Sequence, residues 1–181
     1  MQEAKDLFEP LVGGLVWCVR RGHGSFLTME FGAPHLSVRE PIDASSEGFA
    51  KVQRILKRRR VFVVGDWHFW VKYGEWKIST ADGILDSNSP IGSPMDDCLR
   101  DLEGQKLLAV EPGIIFNSGV FKFDLGGILL IWPSTEIADD QWTLHSWNGN
   151  IAALQHNGAL VFEKAADTVN TWERSDRETG Q

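Results

Sequence analysis

The chain has 181 residues, 43% of them hydrophobic and 24% charged, and a formal net charge of −7. That balance excludes a fibrous or disordered chain, and the length fits one compact unit at roughly 150 residues per domain. The acidic excess argues against general affinity for nucleic acid, which needs a positive face for its phosphates.

The start, Met1 to Asp6, is polar, and the longest apolar run is Ile128 to Trp132, far short of the roughly 20 residues of a membrane span. These features predict a chain without leader or anchor, located in the cytoplasm. Cys18 and Cys98 are the only two cysteines, too few for a disulfide framework or a thiolate zinc site, which fits a reducing compartment. The charge is uneven: residues 1–94 carry +1, residues 95–164 carry −6 and residues 165–181 carry −2. Six bases nonetheless crowd together as Lys51, Arg54, Lys57, Arg58, Arg59 and Arg60. They are the one hint of nucleic acid or an acidic partner, against the plainer reading of a solvated helix face.

In chain order, a helical turn over 3–8 leads into strands at 15–20, 26–31, 35–40, 60–71, 75–80 and 84–87. A further helix is expected within an insertion at 44–60. The segment 86–94 reads as a linker, followed by a helix over 94–102 with Pro94 at its first position after the Ser93 cap. Strands then follow at 106–110, 119–125, 128–132, 141–147, 150–156 and 159–163. Asn148-Gly149 and Asn157-Gly158 are hairpin signals for two-residue turns, and Gly126-Gly127 marks a third hairpin. Residues 165–181 read as a polar tail with Trp172 its one docking candidate.

The two halves resemble each other. Phe8-x-x-Leu11-x-Gly13 lines up with Leu99-x-x-Leu102-x-Gly104, Phe26 to Gly32 with Val120 to Gly126, and Trp67-x-Phe69 with Trp142-x-Leu144. An internal duplication follows, with copies at 3–88 and 95–164 of about six strands each, inside one domain spanning 1–164. The expected fold class is all-β with two or three short helices: an antiparallel sandwich or barrel built from two half-domains. Alternation assigns Trp142, Leu144, Ile151, Ala153, Leu160 and Phe162 to the core, with Phe121, Phe123, Leu125, Ile128, Leu130 and Trp132 on the remaining core face. Trp67, Phe69, Val71, Trp76 and Ile78 point inward in the first half.

No assembled active site is readable. His145 and His156 fall about four ladder positions apart, roughly 13 Å, too far for one ion, and the other histidines lack ligand spacing, so no metal or cofactor is expected. The loop Arg20 to Ser25, with His23 between glycines, carries acid–base groups but has no orienting residue or oxyanion hole. Glu30 and Asp124 recur in the two halves and read as outward strand acids. Trp70 and Trp147 differ from the core tryptophans because they fall on outward faces beside His68, Lys72, Lys77 and His145, as protein hot spots do. The candidate binding residues are therefore His68, Trp70, His145 and Trp147, and replacing either tryptophan with alanine is expected to leave folding nearly intact.

The pattern Leu102-x-Gly104-Gln105, Phe123-Asp124-Leu125-Gly126-Gly127 and Gln141-Trp142-Thr143-Leu144 resembles that of small bacterial β-rich proteins, some of which accompany toxin genes and are regarded as immunity proteins. The resemblance covers mainly the second half and implies a cytosolic protein that binds a partner and neutralises it sterically, without catalysis. A ligand-binding barrel and an enzyme with a site near His23 or His68 stay open beside it, as does a homodimer through open sheet edges.

Overall fold

The computed structural model describes residues 6–22, 26–41, 54–90 and 97–164. The strands of the first half are β1 (Val16–Arg21), β2 (Leu27–Phe31), β3 (His35–Arg39), β4 (Arg60–Val64), β5 (Trp67–Val71), β6 (Gly74–Thr80) and β7 (Gly83–Asp86). A short helix, α1 (Asp97–Leu102), precedes β8 (Leu107–Pro112), β9 (Gly119–Phe123), β10 (Ile128–Pro133), β11 (Asp140–Ser146), β12 (Asn150–Gln155) and β13 (Leu160–Lys164). The fold is all-β. A six-stranded sheet runs β1-β2-β5-β11-β12-β13, a five-stranded sheet runs β7-β6-β10-β9-β8, and β3 and β4 form a ribbon of their own. No helix among the described residues is long and apolar enough to cross a membrane.

Alternate residues of both sheets meet in one core: Met29, Phe31, Phe69 and Leu144 from one side, Trp76, Ile78, Phe121 and Ile131 from the other. Phe8 fills the centre, its ring edge-on to Phe121 at 4.9 Å, Trp142 at 5.2 Å and Phe69 at 5.3 Å. The architecture is thus a sandwich with a packed interior. One side is clasped: Leu15 bridges Lys106, Gly13 N–H donates to Leu107 O (2.7 Å) and Leu107 N–H to Gly14 O (3.0 Å). The reciprocal pair is also made, Gly104 N–H to Val16 O (2.7 Å) and Val16 N–H to Gln105 O (2.9 Å).

Exchanging the halves maps the order β1-β2-β5-β11-β12 onto β8-β9-β10-β6-β7. This likeness of strand order does not by itself make the halves copies of one ancestor, and it corrects the expected alignment. Trp76, which lies opposite Ile131, takes the place of Trp142, which lies opposite Val71; Trp67 does not. The first half's addition is larger than the expected 44–60 segment, because the whole β3–β4 ribbon stands between β2 and β5, where β9 and β10 are joined by a tight turn. The expected helices at 3–8, 47–57 and 94–102 fall partly outside the described residues.

The hairpins correct a second expectation. Gly126, Gly149 and Gly158 have φ of 92°, 88° and 84°, while Asn148 and Asn157 do not have positive φ. The turns are therefore three-residue loops ending in a left-handed glycine, rather than two-residue turns. The asparagines act through their side chains instead, Asn157 Oδ1 accepting Ala159 N–H at 2.9 Å. An odd change of register turns a strand over. Ala152 and Leu154, opposite Leu144 and Trp142, take the core side in place of Ile151, Ala153 being buried as well, and on β10 Leu129 and Ile131, not Ile128, Leu130 and Trp132, enter the core. The second slip cancels the first, so Leu160 returns to the core side, while Phe162 on the edge strand stays 67% exposed. Leu125, at the turn, is exposed too.

Gly13 and Gly104 share φ near +85° (85° and 84°), and a Cβ at either meets nothing within 4 Å. Replacing either with alanine should therefore cost only the left-handed strain, about 1 kcal/mol, or roughly 2–4 °C in Tm. Thermal unfolding should show nearly equal losses for Gly13→Ala and Gly104→Ala, and a smaller one for asparagine at each position.

Candidate functional site

The outer face of the six-stranded sheet is built by cross-strand register. His68 on β5 lies opposite Glu30 on β2 and opposite His145 on β11, so three titratable side chains form one row across adjacent strands. Glu30 is only 6% exposed. Its Oε1 lies 2.6 Å from His68 Nδ1 and its Oε2 accepts Gly65 N–H at 2.9 Å. The His68 and His145 rings stand 5.8 Å apart, and His145 Nε2 lies 3.0 Å from Thr143 Oγ1. Trp17, opposite Glu30 on β1, donates its indole N–H to Gly32 O at 3.1 Å.

Trp70 occupies the next row, opposite Thr28 and Thr143. It is half-buried rather than bare, with Phe26 edge-on at 5.7 Å and Lys72 Nζ 5.0 Å from its ring. Its Nε1 is buried and has no acceptor. The expected neighbour Lys77 is elsewhere, since β6 belongs to the other sheet. Trp147 lies in the turn after β11 and stacks on His35 at 4.4 Å with a 9° interplanar angle. His35 Nε2 is 2.6 Å from Asp66 Oδ1; Asp66 Oδ2 accepts Ala33 N–H (2.6 Å), and Asp66 O accepts Trp147 N–H (2.8 Å).

The structure thus joins His68 with His145, sets Trp70 beside them, and anchors Trp147 through residues that sequence reasoning passed over. Glu30 read as an outward acid, and its burial between Met29 and Phe31 became meaningful only once β5 was its neighbour. His35 and Asp66 had no signal beyond the Gly65-Asp66 break in a run expected as one strand. His156 lies past the end of β12, its N–H on Asp139 O at 3.1 Å, and His23 is outside the described residues. Among the described residues no group of three His, Cys, Asp or Glu is placed to hold a metal. Two shallow hollows, of about 340 Å³ beside Trp132 and Glu75 and about 370 Å³ beside Val12 and Leu108, lie elsewhere on the surface.

Burial, then the nearby His68, push His145 down to about 4, so its ring is neutral at pH 7. The hydrogen bond from His35, then that from Ala33 N–H, hold Asp66 below the ordinary carboxylate value. Glu30 and Asp66 thus have their oxygens occupied within the protein, while Glu163, at the β13 end of the same row as Glu30, is exposed. The arrangement is a preorganised shelf of indole and imidazole rings with charge at its ends, Arg20 on β1 and Glu163 on β13. No family model, curated protein or solved structure matches the chain.

Because the unfolded chain binds a proton at His145 near pH 6.5 and the folded chain only near 4, stability should fall as pH drops through that window. The loss is on the order of 2 kcal/mol after allowance for solvent screening. Urea unfolding of His145→Gln should be flatter between pH 6.5 and 4, with the acid loss tied to Asp66 left below that window. Trp70→Ala, expected from sequence to be harmless, should instead cost roughly 2 kcal/mol, about half of a core Trp truncation, measurable in the same experiment.

Proposed function

We propose that the chain is a non-enzymatic protein-binding module of the immunity type, a bacterial cytosolic protein that covers a partner and neutralises it sterically. The docking face is the outer side of the six-stranded sheet around His68, Trp70, His145 and Trp147. The observation that carries this reading is the cross-strand anchoring of the face: Glu30 on His68, and Asp66 on His35 beneath Trp147. Rings held in this way lose little freedom on association, and carboxylates already saturated by internal donors resist desolvation less than free ones. The acidic second half supplies a field that favours a basic partner.

A second reading, acid–base chemistry at His68, is favoured by the same Glu30 contact, which orients the ring as a general base requires. Against it, the neighbouring hydroxyl of Thr143 belongs to a residue only 2% exposed and is engaged by His145. The packed interior likewise gives a ligand-binding barrel no support.

Immobilised protein incubated with lysate of the source organism should retain one stoichiometric protein, and Trp147→Ala or His68→Ala should weaken its capture about tenfold, or about 1.4 kcal/mol, with unchanged circular dichroism. Equal capture by wild type and both variants would remove the face from the interaction.

A further inference from the structure

The β3–β4 ribbon is the element without a counterpart in the second half, and its two faces differ in how they treat charge. On one face Leu36 lies opposite Val63 and Val38 opposite Val61. One rung further, Arg59 Nε donates to both carboxylate oxygens of Glu40 at 2.9 Å, a neutralised bidentate pair. On the other face His35, Ser37 and Arg39 lie opposite Val64, Phe62 and Arg60.

Arg39 and Arg60 are therefore like charges directly across a ladder, with Cβ atoms about 5 Å apart, a placement that destabilises a sheet. Neither is relieved by a carboxylate among the described residues. The Arg60 guanidinium lies 4.7 Å above the Phe62 ring, and Arg39 Nε and Nη2 are buried with no hydrogen-bond partner. Orphaned guanidinium donors are costly, and no acidic residue lies between Arg54 and Val64, whereas Arg54, Lys57 and Arg58 add positive charge. An acidic chain has concentrated unneutralised cations on one face of an appended ribbon.

We propose that Arg39 and Arg60 form a site for a doubly charged oxyanion of the phosphate monoester class, supplied by a free phosphorylated small molecule or by a phosphorylated side chain of the bound partner. Two planar guanidinium forks match a tetrahedral oxyanion, and a dianion cancels both charges where a single carboxylate leaves one over. Phe62 walls the site, and the Ser37 position lies between it and His35. The site stands on the ribbon's own geometry, independently of what covers the sheet.

Isothermal titration calorimetry of the full chain at low salt should show binding of inorganic phosphate that weakens as falling pH protonates its dianion, the corresponding loss for a phosphoseryl probe coming at about pH 6. Arg39→Gln and Arg60→Gln should each lose tenfold or more, Arg39→Lys less, and Arg58→Gln, a base outside the pair, less than twofold. Without anion, Arg60→Gln should be at least as stable as wild type, because the like-charge rung is relieved; this confirms that the variant folds. A phosphoseryl peptide with neutral flanks that binds tenfold tighter than inorganic phosphate identifies a partner side chain as the source; equal affinities identify a free small molecule. No binding of either probe, equal binding of glutamate, or an equal loss in Arg58→Gln would overturn the site. Lysate capture by Arg39→Gln separates this outcome from the docking face, which that substitution leaves intact.

Discussion

Four backbone hydrogen bonds between residues 13–16 and 104–107 hold the two sheets in their relation. They join the edge of β1 to the edge of β8, so one side of the sandwich is closed and the inner faces converge on Phe8. Reciprocity is what makes the clasp specific: each half offers a left-handed glycine, and each glycine donates to the first residue of the other half's opening strand. With those edges fixed, each half places three strands in one sheet and crosses to the other. The corner at Lys72 and Tyr73, whose N–H groups reach Gln141 O and Asp140 O, keeps β5 between β2 and β11. That insertion of a first-half strand beside a second-half strand brings Glu30, His68 and His145 into one row.

Local chemistry was legible and non-local pairing was not. Turn glycines and alternation located the strands within a residue or two, except that the run expected as one strand at 60–71 is two, β4 and β5, in different sheets, and they marked Phe69, Val71, Trp76 and Ile78 as core, because both signals act over a few residues. Faces failed where parity depended on turn type: a three-residue loop at Trp147 to Gly149 reverses β12 relative to a two-residue one, yet both are compatible with Asn-Gly. The expected strand at 35–40 was real, but it pairs with β4 in a separate ribbon, and nothing local to it says so.

The same limit governs the site. His68 and His145 were singled out as outward residues of equivalent strands, but they are 77 positions apart and their adjacency is a consequence of sheet order. Glu30 is separated from His68 by the entire β3–β4 ribbon. A carboxylate in a strand otherwise flanked by Met29 and Phe31 was the available signal, and its physical meaning, a buried acid in need of donors, required the neighbour strand that supplies His68 and Gly65.

The ribbon and the sheet face meet at one stacked pair, His35 on Trp147. A two-stranded ribbon is marginal in water by itself, and Leu36, Val61 and Val63 leave one of its faces exposed. What holds its base is the group Asp66, His35 and Trp147, in which a carboxylate is locked by two donors and a ring is stacked on an indole from the second half. His35 shares its ribbon face with Arg39, about 14 Å along the strand. The contacts that seat Trp147, the His35 stack and the Asp66 O acceptor, involve neither Arg39 nor Arg60. The two surfaces are therefore separable, because the Arg39–Arg60 rung lies at the far end of the ribbon from the stacked pair that joins ribbon to sheet.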